Sequence, residues 1–322
     1  MDHTSEPWEC IVVGAGPAGL SAALYLARFR RRVLVLHDGM SRAMRIPLTR
    51  NAPGFPEGIA GPDLVGRMLE HCERYGAQVR EAEVVEARRH EGTFGLRTAD
   101  GVVHHGRALV LATGLHMGQI PLPHEEHEAA IAAGVLRYCP ICDGIEHADT
   151  RIAVLGSDRH GAAEALFLRQ FSEQIALLPC QYAGLDGDAH AQLTAAGIRV
   201  LAAPVVRYAP QADRFDLYLE GRDEPHTFDV VYPALGSQHR NELAQMLGIA
   251  IDAHGCTNVA SPLGTEVPGA FCAGDIVDGL DQISVAMGHG AVAATRAHNW
   301  LRAEDGHVLP PGENRQASAS RG

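Results

Sequence analysis

The sequence predicts an α/β protein organised around two βαβ units, and two stretches carry that prediction. The first is CIVVGAGPAGLSAALYLARFRRRVLVLHD near the N-terminus: an apolar run, a glycine turn, an Ala/Leu-rich stretch and a second apolar run. The second, RIAVLGSDRHGAAEALFLRQFSEQIALL, repeats that order from residue 151. With 322 residues, 46% hydrophobic and 20% charged, the chain is long enough to bury two cores of ordinary size.

Taken in order, Gly14, Gly16 and Gly19 form GxGxxG between the first strand and its helix. Gly14 permits the tight turn, Gly16 lets a pyrophosphate approach the helix N-terminus, and Gly19 allows close packing of helix on strand. Asp38 closes the second strand, where a ribose-binding acid is expected, so this unit reads as a dinucleotide site. NAPGFPEGIAGPDLVGRMLEHCERYGAQV is a Pro/Gly loop and an amphipathic helix. VVEARRHEGTFGLRTADGVVHHGRALVLATG is a strand meander ending in a buried strand. From about residue 117 a polar His/Glu stretch reads as a solvated linker, with His124 and His127 on it rather than in a metal site. After VVYPALG come a strand, an acidic turn and a long helix in GAFCAGDIVDGLDQISVAMGHGAVAATRAHNWL, and residues 303–322 read as a disordered tail.

The charge balance excludes several function classes. The net charge is -12, from 39 acids against 27 bases, and every base is Arg. An acidic chain of this kind is not expected to bind nucleic acid, and one without Lys cannot form a lysine Schiff base. No apolar run reaches the roughly 18 residues of a membrane helix. The N-terminus MDHTSEPWEC has no secretory pattern, so no membrane association and a cytoplasmic location are expected. Cys10, Cys72, Cys180, Cys256 and Cys272 read as lone, buried thiols.

Cys139 and Cys142, in RYCPICDG, are the one closely spaced pair. Zinc would need two further ligands, and no second Cys-x-x-Cys or paired-His motif supplies them, so no metal is expected. A redox pair needs one sulfur towards an electron carrier and one towards a substrate, and a two-residue spacer at a helix start provides that while lowering a thiol pKa. Asp143 follows directly, as an acid for the thiol chemistry or simply as a favourable charge at a helix N-terminus.

The order GAGPAGLSAALYLAR, NAPGFPEGIAGPDL, ATG, CPICDG and AGDIVDGLDQISVAMGHG resembles the low-molecular-weight thioredoxin reductase family, to about Trp300. The resemblance implies two Rossmann-like, three-layer ββα nucleotide-binding domains, the second inserted in the first. The FAD domain would be residues 1–116 and 242–302, and the inserted redox-disulfide domain residues 117–241. FAD would be held by Gly14, Gly16, Pro17, Ala18 and Gly19, by Asp38 and Asn51, by Val84 beside the adenine, and by Ala112, Thr113 and Gly114. Gly274 and Asp275 would serve the ribityl or phosphate region, with Gln282 and Ile283 along the isoalloxazine. The resemblance also implies a homodimer and gives the cysteines roles. Cys142 would face the flavin, Cys139 would attack a substrate disulfide of thioredoxin or a small molecule, and Asp143 would protonate the departing thiolate.

The chain departs from this pattern where NADPH would bind. Asp158 stands where the middle glycine of the second glycine turn is expected, adding bulk and negative charge. No Arg lies between Gln170 and Ile198 to clamp a 2′-phosphate, and Asp186 and Asp188 are read as loop residues. NADPH is therefore doubtful as donor, and reduced ferredoxin or another flavin is expected instead. A dithiol oxidase passing electrons to oxygen, an ordinary NADPH-dependent reductase and a flavin redox sensor without turnover remain as alternatives. His289 is read as tuning the flavin or capping the last helix, and His147 as pointing away from the cysteines.

Overall fold

Two parallel sheets, each with its own antiparallel meander, make up the fold; the computed structural model describes residues 6–181, 184–257 and 263–308. The first part of the chain supplies β1 (Trp8–Val13), α1 (Pro17–Arg28), β2 (Val33–His37), α2 (Gly61–Arg74), β3 (Gln78–Glu81), β4 (Val84–His90), β5 (Thr93–Thr98) and β6 (Val103–Leu111). The middle supplies β7 (Leu115–Met117), α3 (His124–Ala133), α4 (Pro140–Asp143), β8 (Ile152–Leu155), α5 (Arg159–Leu168) and β9 (Ile175–Leu178). It continues through α6 (Gly187–Ala195), β10 (Arg199–Val200), β11 (Val205–Pro210), β12 (Phe215–Leu219), β13 (His226–Phe228), β14 (Val230–Pro233) and β15 (Ser237–His239). The last part adds α7 (Glu242–Met246), β16 (Ala270–Cys272) and α8 (Ile283–Glu304).

In the first sheet β3, β2, β1, β6 and β16 run parallel in that spatial order, and β4 and β5 add antiparallel to the front half of β6. Along β1 the side chains alternate between two cores. Cys10 and Val12 pack under α1, α2 and α8, while Ile11 and Val13 pack against the β4–β5 meander and α7. Burial on both faces is why these strands read as unbroken apolar runs. Leaving β1, the chain turns to β2 on one side, with β6 on the other, which makes the carboxyl ends of β1 and β6 the place where a cleft opens. The glycine turn and ATG sit at those two ends.

The second sheet repeats the plan on a smaller scale: β10, β9, β8 and β14 are parallel, and β11, β12 and β13 form the meander. The two passages between the sheets, β7 and β15, pair antiparallel with His116 opposite Gln238. No described helix is long and apolar enough to cross a membrane.

Helices α1 and α8 meet backbone to backbone. A Cβ on Gly290 would lie 2.1 Å from the carbonyl oxygen of Ala18, so the small residues of SAAL and GHGAVAA are what this crossing requires.

Three sequence expectations need correction. The His/Glu stretch is helical rather than a solvated linker; His127, one turn after His124, is 2% exposed and its Nε2 lies 2.6 Å from the Tyr138 hydroxyl. Helical spacing turns His127, Ala130 and Ile131 inward together, a pattern hidden by the flanking charges. The expected tail begins too early: α8 runs to Glu304, and Asp305 pairs with Arg31 at 3.2 Å and Arg107 at 2.6 Å. Residues 309–322 lie outside the described residues. Asp186 is the N-cap of α6, its Oδ1 accepting from the Ala189 N–H at 2.8 Å, and Asp188 lies in that helix's first turn.

Candidate active site

Pro140 opens a single helical turn whose cap is Cys139, and the Cys139 sulfur accepts the Cys142 N–H at 3.1 Å. That turn folds the pair back on itself, and Cys139 and Cys142 form a disulfide. The sulfurs face a cavity of ≈ 440 Å³ between the two sheets. The side chain of Gln282, the cap residue of α8, reaches across from the first sheet's end of the molecule, with Nε2 at 3.3 Å from the Cys139 sulfur and 3.5 Å from that of Cys142. Asn51 Nδ2 donates to Gln282 Oε1 at 2.9 Å, and the Thr49 hydroxyl donates to Asn51 Oδ1 at 2.8 Å. This chain of donors fixes which way each amide points and aims the Gln282 N–H at the sulfurs.

Gly14, Gly16, Pro17 and Ala18 line the same cavity, as do Ala112, Thr113, Gly114, Gly274, Asp275, Gln282, Ile283, Cys139, Cys142 and Asp143. The glycines divide their work. A Cβ on Gly14 would sit 2.2 Å from Ala112 O, and one on Gly19 would sit 1.9 Å from Gly14 O; both positions are closed by backbone. Gly16 meets only Ser41 Oγ, at 3.3 Å, and caps α1 with no side-chain hydrogen bond. An open glycine at an uncapped helix N-terminus is a fit for a dinucleotide pyrophosphate.

Elsewhere the residues have partners that the sequence did not announce. Asp38 lines the cavity, but its carboxylate pairs with Arg240 and accepts the Met40 N–H at 2.9 Å. Burial pushes its pKa up, and these bonds outweigh burial to hold it below the usual carboxylate value. The Thr113 hydroxyl donates to the Arg240 carbonyl at 2.6 Å, which leaves its backbone to face the cavity. Arg42 pairs with Asp275 at 3.0 Å and donates to the Asp281 carbonyl at 3.2 Å; burial raises the pKa of both acids. Val84 is set back from the cavity: at the start of β4 its side chain joins the core beside α7, and Glu81 takes the place at the lining. Arg42, Arg240 and Glu81 carried no motif. Only their positions just after β2, after β15 and at the end of β3 marked them.

Asp143 is the most perturbed acid of the site. Burial pushes its pKa up to about 6, against the pull of the Tyr232 hydrogen bond and of Arg137. Between the ordinary carboxylate value and about 6 the folded protein keeps a proton that the unfolded chain has released, so stability falls as pH rises through that window. A gap of about two units corresponds to about 3 kcal/mol. Asp143→Asn, which keeps an acceptor for Tyr232, is expected to raise the melting temperature at pH 7.5 and leave it unchanged at pH 3.5, measured by differential scanning calorimetry. An equal effect at both pH values would mean that packing, not charge burial, sets the difference.

Two histidines lie near the site. After Asp143 the chain tightens into a 3-10 turn, Gly144–His147, and His147 lies edge-on to the Tyr232 ring. His289 lies well inside α8 and does not cap it; its Nδ1 is buried without a hydrogen bond.

A second groove lies at the ends of β8 and β14, lined by Gly156, Ser157, Asp158, His160 and the Ala234–Gly236 segment. Here Gly156 and Gly161 keep the close strand-to-helix approach, each with its added Cβ 2.9 Å from the other's Cα. Asp158 caps its own helix, its Oδ1 accepting from the Gly161 N–H at 3.0 Å. Both bases at this helix start are paired, Arg159 with Asp186 at 2.8 Å and His160 with Glu164 at 3.1 Å.

The model of the family described as "Pyridine nucleotide-disulphide oxidoreductase" matches residues 8–290. The chain belongs to that family. It is a thioredoxin reductase-like oxidoreductase and an FAD flavoprotein with a redox disulfide. It is 29% identical over 311 residues to a thioredoxin reductase of Streptomyces clavuligerus, covering 91% of this chain and 94% of that one. To a thioredoxin reductase of Mycolicibacterium smegmatis it is 29% identical, covering 95% and 100%. Among solved structures, HlmI superposes with a TM-score of 0.85 at 29% identity over 93% of this chain and 94% of that one. The family binds FAD, and the two Rossmann-like sheets match the architecture of these relatives.

Proposed function

We propose that the protein exchanges electrons between its FAD and an outside disulfide or dithiol through Cys139 and Cys142, and that NADPH is not its electron source. When bound, FAD supplies a two-electron carrier beside the disulfide. Gly16 and the α1 N-terminus receive its pyrophosphate, with Asp38, Asn51, Asp275 and Ile283 around the rest. Cys142 is the flavin-side sulfur, Cys139 the one that attacks the substrate, and Asp143 the acid that gives a proton to the leaving thiolate. Residues 1–116 with 242–302 form the FAD domain, and 117–241 the inserted redox domain. The observation that carries this reading is the shared cavity: the disulfide and the open glycine turn face the same space, and Gln282 touches both sulfurs from the opposite side.

Thioredoxin is one candidate substrate, since the relatives are named thioredoxin reductases, and a small disulfide is the other. The protein works in the cytoplasm as a homodimer. Against NADPH stands the second groove, where Asp158 occupies the amide that a pyrophosphate would take and Arg159 is already paired. Arg199, the next Arg in the chain, sits opposite Ala176 and not at the carboxyl end of β9, where ligands of such sheets bind. Reduced ferredoxin or a second flavoprotein then supplies the electrons.

The test is anaerobic titration of the holoenzyme with NADPH, NADH, reduced ferredoxin and a dithiol, each alone, followed by flavin absorbance. Bleaching by ferredoxin or dithiol and a slow response to NADPH are expected. Rapid bleaching at micromolar NADPH would sink the donor assignment. Bleaching by dithiol alone, reversed on admitting air, would turn the reaction round into a dithiol oxidase.

A further inference from the structure

Tyr232 is a large polar side chain in the core of the second sheet, with 0% of its surface exposed. A buried phenol needs a hydrogen-bond partner. Its partner is the acid beside the cysteines: the Tyr232 hydroxyl donates to Asp143 Oδ1 at 2.8 Å. The other oxygen, Oδ2, lies 3.5 Å from Arg137 Nε, without a hydrogen bond to it.

We propose that Tyr232 is the positioning residue of the Asp143 acid, holding Oδ1 as an acceptor so that the transferable proton resides on Oδ2. The inference rests on the reading of Asp143 as the acid. In that step the Cys139 thiolate forms a bond to one sulfur of the substrate disulfide as the substrate's own S–S bond breaks. The leaving sulfur departs with the bonding pair and takes the Asp143 proton, so the disulfide is itself the oxidant and no other is needed.

After burial, this bond is the strongest influence on the carboxyl, ahead of Arg137 and Glu146. Arg137 approaches from the segment before α4, Glu146 and His147 from the turn after it, and Asp229 stands before β14 on the side of His147. The side chains nearest Gly144 are the apolar Phe171 and, from α5, Leu168. Glu146 is drawn towards Arg50 at 3.6 Å. Burial raises the Asp143 pKa and the Tyr232 bond lowers it, so removing the phenol raises it further. A phenol that only filled space would leave that balance unchanged when replaced by Phe.

The test uses holoenzyme reduced anaerobically and freed of reductant, mixed in single turnover with bis(2-hydroxyethyl) disulfide across pH 4.5–9. This alkyl leaving thiolate is basic and needs a proton. In wild type the rate should fall as Asp143 ionises near the pKa of about 6. Tyr232→Phe should move that falling limb up by roughly one pH unit, the scale of one hydrogen bond to a charged group, and lower the plateau severalfold. With 4,4′-dithiodipyridine, whose leaving thiolate is stable without a proton, the limb should be absent in both proteins. An unshifted limb in Tyr232→Phe overturns the tyrosine inference alone. A limb that survives in Asp143→Asn overturns the acid reading beneath it. Should Tyr232→Phe fail to fold, 3,5-difluorotyrosine incorporation gives a stronger donor and should shift the limb down; no shift would count equally against the proposal.

Discussion

Replacing Cys142 by Ser is expected to slow electron transfer from an added dithiol to the bound flavin by roughly a thousandfold or more, with FAD still bound. The reason is chemical: a serine oxygen cannot form or break the disulfide through which the electrons pass. FAD should stay because the sulfurs form one wall of the cavity, whereas the glycine turn after β1 and the segment after β6 form another. Cys139→Ser should block transfer equally, but the two variants should part in a trapping experiment. If Cys139 is the attacking sulfur, Cys142→Ser accumulates a mixed disulfide with a thiol-reactive substrate, because its resolving sulfur is gone. Cys139→Ser does not. Stopped-flow bleaching and mass spectrometry of the quenched protein read the two results. Transfer at the wild-type rate in either variant would take the pair out of the mechanism, and trapping by Cys139→Ser instead would exchange their roles.

The second large effect concerns the glycine turn. Gly19→Ala forces a methyl group to within 1.9 Å of the Gly14 carbonyl, a clash with backbone that no rotamer relieves. We expect a loss of at least about 3 kcal/mol, the upper part of the range for overpacking, against a gain of only about 1 kcal/mol in helix propensity. The variant should express poorly and bind no FAD. Gly16→Ala should behave differently, because its nearest neighbour is a serine hydroxyl at 3.3 Å. The apoprotein should melt within about 1 °C of wild type, while FAD affinity falls by roughly a hundredfold, about 3 kcal/mol for an obstructed pyrophosphate. Thermal melts of the apoproteins together with FAD titration separate the two. Similar losses of stability for both would mean that Gly16 serves packing and not the ligand.

The two glycine turns show how far sequence reading reaches. GAGPAG and GSDRHG occupy equivalent places at the ends of β1 and β8, and the residue types alone separate an open turn from one filled by an aspartate. Likewise CPIC announces a helix-capped pair, because spacing and Pro at the first helical position are local properties. His127, His147 and Tyr232 were not legible in this way. Two of them lie on elements whose inward face depends on what packs against them, and a 3-10 turn shifts the third.

By itself the sequence determined the two βαβ units, the strands buried on both faces, the glycine turn between β1 and α1 and the redox cysteine pair. Each rests on interactions within a few residues or on a repeating hydrophobic period. Tertiary structure decided what those parts meet. Arg240 on Asp38, Gln282 on the sulfurs and Tyr232 on Asp143 join residues separated by 202, 140 and 89 positions. No local period encodes such pairs. They arise because two sheets and their crossing strands bring distant chain segments to one cavity, where burial favours a partner for each polar group.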